Sequence, residues 1–167
     1  TPSSHDPLRY PHGVSLRSEI AEQPAVVERL LEAAPEARRL ARPLASALHL
    51  TIAARGSSDN AATYGKYLFE SQAGIVTALA APSLVTRYRT PPSFARGAVI
   101  GISQSGAAPD VAAVLAAARA MGAPTLAITN EPRSLLARTA QDTFLLRAGR
   151  ERSIAATKTY TATCVAL

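Results

Sequence analysis

Cysteine is nearly absent from this 167-residue chain: Cys164 stands alone, so no internal disulfide can form, and no Cys/His spacing of the metal-binding kind occurs. That usage suits a reducing cytoplasm. Tryptophan is missing and aromatic residues make up only 5%, so a core must rest on Ala, Leu, Val and Ile. Of 18 basic residues all but Lys66 and Lys158 are arginines, and the formal charge is +6. The arginines are scattered, with small clusters at Arg38-Arg39 and Arg147-Arg150-Arg152. A nucleic-acid face would carry a dense basic stripe with interleaved aromatics. No nucleic-acid partner is therefore expected, and the excess charge reads as solvated surface that helps steer small anions. No apolar run approaches the roughly 20 residues of a membrane helix, and 1–14 has no charged-then-apolar signal pattern. No membrane partner is expected. Residues 1–14 read as a flexible arm before one domain, 15–167. With 47% hydrophobic and 18% charged residues, that domain is a soluble globular one.

Several motifs are missing too. There is no Gly-x-Gly-x-x-Gly, no P-loop Gly-Lys-Ser/Thr and no Ser-His-Asp pattern. His5 and His12 sit in the arm and His49 at a strand start. Dinucleotide binding, triphosphate binding and triad hydrolysis have no support.

What is present is alternation. Apolar periodicity predicts helices over 15–33, bent or broken at Pro24, and over 35–48, opened by Pro35. Short apolar runs predict strands at 50–54, 75–81, 98–103, 124–129 and 142–146. Helical patterns fill 58–73, 83–88, 109–121, 134–140 and 154–167. Mostly apolar strands between helices indicate a parallel sheet covered on both faces, an α/β three-layer sandwich whose ligands bind at the carboxyl ends of the strands.

Three strand ends share a small, polar character. After the first strand come Arg55-Gly56-Ser57-Ser58, where Gly56 permits a tight turn and the serines suit either a helix cap or a ligand. After the third comes Ser103-Gln104-Ser105-Gly106. Its donors in a row exceed what capping needs, and Gly106 allows close approach of backbone to a ligand. Unpaired N–H groups at a helix start favour an anion. With no Lys inside the loop, that anion is a small phosphate ester. After the last strand comes Gly149-Arg150-Glu151, then Ala155-Ala156-Thr157-Lys158, small enough to expose backbone donors. Lys158 pairs with an acid or lies on the helix surface. Glu151 is the candidate catalytic base, against the plainer reading of a solvated loop carboxylate.

These residues resemble the sugar isomerase (SIS) domain family. Ile102-Ser103-Gln104-Ser105-Gly106 resembles its signature. Arg55-Gly56-Ser57-Ser58 with Tyr64-Gly65-Lys66-Tyr67-Leu68-Phe69-Glu70 resembles its first ligand loop and helix. Ala127-Ile128-Thr129-Asn130 with Ser134-Leu135-Leu136-Ala137-Arg138 resembles the next strand and turn. The loop 149–158 is similar to the family's G-x-E … A-S-T-K, and Glu19-Ile20-Ala21-Glu22-Gln23-Pro24 to the E-I-x-E-Q-P helix of the isomerase half of glucosamine-6-phosphate synthase. The resemblance spans 15–167.

It implies a flavodoxin-like five-stranded parallel sheet, a sugar-phosphate ligand, and Ser57, Ser58, Ser103, Gln104 and Ser105 around the phosphate. It implies no metal or organic cofactor. It further implies a homodimer, and a first SIS domain of two whose base, ring-opening His and catalytic Lys lie outside this chain. Ala107-Ala108 replace the synthase's Glu-Thr and Ala156 its Ser. The loop form that ends in Pro109-Asp110 and the Ala81-Pro82-Ser83 turn are more similar to stand-alone phosphosugar isomerases and SIS-type glucosamine-6-phosphate deaminases. The expected function is thus phosphosugar binding within an aldose/ketose isomerase or a glutamine-independent deaminase. The alternative is a phosphosugar-sensing module of a regulator.

Overall fold

A computed structural model describes residues 16–153 and 155–167. The expected arm, with His5 and His12, lies outside the described residues, as does Ile154, the expected first residue of the last helix. Two short helices, α1 (Leu16–Ala21) and α2 (Gln23–Glu32), replace the single helix expected over 15–33. The break falls at Glu22, and Pro24 sits in the first turn of α2, where its missing N–H costs nothing. Helix α3 (Ala34–Ala41) is shorter than the expected 35–48. It tightens into a 3₁₀ turn, Arg42–Leu44, at Pro43, which can neither donate to the α-helical ladder nor avoid the carbonyl four residues back.

From there the chain alternates: β1 (His49–Ala53), α4 (Ser57–Leu68), β2 (Val76–Leu79), α5 (Pro82–Thr86), β3 (Gly97–Ile102), α6 (Pro109–Ala120), β4 (Thr125–Thr129), α7 (Leu135–Thr139), β5 (Asp142–Leu145) and α8 (Lys158–Ala166). Phe69–Ala73 extends α4 as a π turn. The last helix begins at Lys158, not 154. All five strands are parallel, in the order β2-β1-β3-β4-β5, the flavodoxin-like α/β sandwich.

Alternation along the central strands sorts side chains by size. Leu50, Ile52, Ile100, Ile102, Leu126, Ile128 and Phe144 fill one core with α2, α3 and α8. Ala53, Val99 and Ala127 meet Val111, Leu115 and Leu136 on the other face, where small strand residues let α6 and α7 sit close. The large-residue face also holds an almost wholly apolar hollow of about 660 Å³ between α3, the end of α4 and the end of α8. Among the described residues no helix is long and apolar enough to cross a membrane.

Strand order reverses between β1 and β3. The first leads to β2 on one side and the second to β4 on the other. Loops leaving the carboxyl ends of these two strands diverge and open a crevice, the usual ligand position in such sheets.

Candidate functional site at the carboxyl end of the sheet

Two of the three expected loops flank that crevice. In the first, Gly56 stands at the helix boundary with φ +60°, a conformation suited to glycine. No side chain caps α4. The hydroxyls of Ser57 and Ser58 are therefore not spent on capping; Asp59 N–H turns back to the Gly56 carbonyl (3.0 Å), and the dipole of α4 stands behind Ser57 and Ser58.

The second loop, 103–108, ends where α6 begins at Pro109, the helix start the sequence indicates. Backbone contacts fix it. Ser103 N–H donates to Ile128 (3.1 Å), Gly106 N–H to Ser103 (3.1 Å), and Asn130 N–H to the Gln104 carbonyl (3.0 Å). Gly106 has φ +61°, and a Cβ there would lie 2.1 Å from Ser134 Oγ. The close approach that requires glycine is thus to the β4–α7 turn, where the sequence had suggested a ligand. Ser134 in turn caps α7 through Ala137 N–H. Among the described residues no acceptor is assigned to the N–H groups of Gln104 and Ser105, while Ser105 Oγ accepts from Ala107 N–H at 3.3 Å. Arg55 and Asp110 pair at 3.0 Å and tie the first loop to α6.

The third loop reaches the same place through α8. Ser57, Ser58, Gln104, Ala156, Thr159, Tyr160 and Thr163 line one small hollow of about 10 Å³. Cys164, one turn on, pushes the Tyr160 hydroxyl upward by its charge and hydrogen bond. Burial raises the Cys164 thiol, so both groups are protonated at neutral pH. Ala155 is exposed beside the hollow.

Two expected site residues have other partners. Glu151 Oε1 accepts from Thr157 N–H (2.8 Å), Thr157 Oγ1 (2.7 Å) and Lys158 N–H (2.9 Å), and Oε2 accepts from Thr159 Oγ1. It caps the start of α8, and both of its oxygens accept from residues 157–159. Lys158 is buried, and its ammonium lies 2.6 Å from Glu22. Of the two readings open for it, pairing with an acid is the one observed.

Sequence reasoning also missed residues. Asn130 staples two strand ends, donating to Gly149 (2.6 Å) and accepting from Ala148 N–H (3.0 Å). Glu19, 1% exposed, accepts from Arg152 N–H (2.6 Å) and Ser153 N–H (3.0 Å). Burial alone would raise its carboxyl. Hydrogen bonds from Ser153 and Arg152, with the charge of Lys158, outweigh that and hold it below the ordinary range. The Glu19–Pro24 motif and the 149–158 loop are both visible in the sequence, but no spacing rule links positions 133 residues apart.

Parallel strands, a reversed strand order and hydroxyl- and amide-bearing loops at the crevice define a doubly wound α/β domain with a polar switch-point crevice. Residues 43–167 match the SIS domain, and the chain belongs to that family. It is 43% identical over 155 residues to a glutamine–fructose-6-phosphate aminotransferase (isomerizing) from Gloeobacter violaceus, covering 89% of this chain and 25% of that protein. A Silicibacter pomeroyi structure named as a candidate phosphosugar isomerase superposes with TM-score 0.84 at 38% identity, over 90% of this chain and 47% of that one. The C-terminal domain of glucosamine-fructose-6-phosphate aminotransferase from Francisella tularensis gives TM-score 0.77 at 30% identity, over 89% and 43%. The chain thus spans about a quarter of the length of the curated relatives it matches.

Proposed function

We propose that this chain is the phosphosugar-binding domain of an aldose/ketose phosphosugar isomerase of the glutamine-independent, ammonia-releasing kind, acting on a hexose 6-phosphate such as glucosamine 6-phosphate. The observation that carries the reading is the convergence of Ser57, Ser58, Gln104 and Ala156 on one hollow at the strand-order reversal. The hydroxyls of Ser57, Ser58, Ser103 and Ser105, the Gln104 amide and the N–H groups of Gln104 and Ser105 hold the phosphate. Gly56 and Gly106 shape the turns that present them, and the backbone of Ala155, Ala156, Thr157 and Lys158 closes the third side. Helix dipoles and oriented N–H groups favour the dianion without a metal.

The chemistry is ring opening, then proton transfer from C2 to C1 that turns the C2 amine into an imine, then hydrolysis of that C=N bond by water, which gives fructose 6-phosphate and ammonia from the amino sugar. Glu151 is occupied by the start of α8. The base therefore comes from a second domain or a partner subunit of a cytoplasmic homodimer. Glutamine independence is supported by the Pro109-Asp110 pair that follows the second loop and by the Ala81-Pro82-Ser83 turn, which resemble the stand-alone isomerases and deaminases. The purified protein, given glucosamine 6-phosphate without glutamine, is expected to yield fructose 6-phosphate and ammonia in equal amounts. Turnover only in the amination direction, with glutamine required, would replace this reading with the aminotransferase one.

A further inference from the structure

The end of α1 and the start of α2 contribute no residue to the hollow, yet they hold the third loop and the first turn of α8. Glu19 accepts from two consecutive backbone N–H groups, Arg152 at 2.6 Å and Ser153 at 3.0 Å. Glu22 holds the buried ammonium of Lys158 at 2.6 Å. Gln23 Oε1 accepts from Thr161 Oγ1 at 2.6 Å. Among the described residues the segment between β5 and α8 has no regular structure, and around the grip Arg150, Arg152 and Ala155 are exposed. A carboxylate taken out of water is costly unless its oxygens are satisfied. Here both oxygens are spent on loop backbone, which can lie in only one place relative to α1 if both bonds are kept.

We propose that Glu19 is a positioning residue. By fixing the backbone of Arg152 and Ser153 from outside the site, it sets where residues 155–158 stand against Ser57, Ser58 and Gln104. The geometry explains why Glu19 is buried at a helix surface where an apolar residue would pack at lower cost. Its link to affinity rests on the phosphosugar reading above, whereas its hold on the loop does not.

The test compares Glu19→Ala with Glu19→Gln, which keeps one acceptor oxygen, and with Leu30→Ala, a core truncation in α2 away from the loop. Amide hydrogen exchange over 150–160 and the dissociation constant for glucosamine 6-phosphate are measured on each folded protein. The expected result is exchange at Arg152, Ser153, Thr157 and Lys158 at least tenfold faster in Glu19→Ala, smaller in Glu19→Gln and unchanged in Leu30→Ala. Affinity is expected to fall about tenfold in Glu19→Ala and by less than twofold in Leu30→Ala. Equal effects in Glu19→Ala and Leu30→Ala would reduce Glu19 to general stability and overturn the proposal. If the unaltered protein binds no phosphosugar, the functional reading fails, and the exchange comparison still decides whether Glu19 holds the loop.

Discussion

The two loops that meet over the hollow are built from opposite materials. The β3–α6 loop, 103–108, is neutral and steric, held by backbone hydrogen bonds and by a glycine pressed on Ser134. The β5–α8 loop is held by carboxylates, with Glu19 on its outer side, Glu151 at the helix start and Glu22 on Lys158. The first should break when atoms are added and ignore pH. The second should break when charge is removed and respond to acid. The contrast between the two hollows teaches a related lesson. The 660 Å³ one is apolar and away from these groups, while the 10 Å³ one gathers the polar side chains.

The largest expected effect is on the steric loop. Gly106→Ala forces a Cβ to 2.1 Å from Ser134 Oγ at φ +61°. It should cost about 3 kcal/mol, the left-handed penalty plus overpacking. Denaturant unfolding measures it, and a loss under about 1 kcal/mol would show that the loop is not sterically fixed.

Next is the charged loop. Glu151→Gln leaves part of a four-donor set unmet and should cost about 2 kcal/mol. Amide exchange at Thr157 and Lys158 should rise while that at Gly106 stays level. An unchanged start of α8 would refute the capping role.

The buried ion pair should be asymmetric. Glu22→Gln strands the Lys158 ammonium, whose side chain is only 3% exposed, and should cost about 2 kcal/mol. Lys158→Met leaves a half-exposed Glu22 free to hydrate and should cost less. Thermal melts of both variants order them, and the reverse order would contradict the burial argument.

Acid should separate the loops by a smaller margin. Glu19 titrates below its unfolded value, so its contribution is complete above the ordinary carboxylate range, about 4.3. It is lost as pH falls through the lower folded value. Protection of the Arg152 and Ser153 amides, taken relative to the intrinsic exchange rate at each pH, should therefore fall as the carboxylate is protonated on acidification, and Glu19→Gln should flatten that dependence.

The smallest effect belongs to Arg55→Ala. Its pair with Asp110 is two-thirds exposed on the arginine side and should change stability by no more than about 0.5 kcal/mol.

The fold was largely legible because a buried parallel sheet writes itself as short apolar runs. The strands at Leu50-Thr51-Ile52 and Val99-Ile100-Gly101 are visible without neighbours. Helix ends were harder. Pro43 stops α3 inside an otherwise helical pattern, and Glu151 sets the start of α8 from six residues upstream of Thr157. The hydroxyl loops could be read as candidate donors because small polar residues after a strand have few other uses. The contacts of Glu19 and Glu151 and the particular acid that Lys158 meets could not be read, since each depends on which group lies near in space. A lone carboxylate in sequence looks the same whether it caps a helix, clamps a loop or takes a proton.

The most direct test of the central claim is a titration of the protein and of Ser105→Ala. The ligands are glucosamine 6-phosphate, fructose 6-phosphate, unphosphorylated glucosamine and inorganic phosphate, read by thermal shift. A ligand at a hundred times its dissociation constant should stabilise the folded state by about 2.7 kcal/mol. The account predicts a rise with the two phosphosugars, none with glucosamine, and its loss in Ser105→Ala. A rise that survives in Ser105→Ala, or one equally large with unphosphorylated glucosamine, would contradict a phosphosugar site at the carboxyl end of β3.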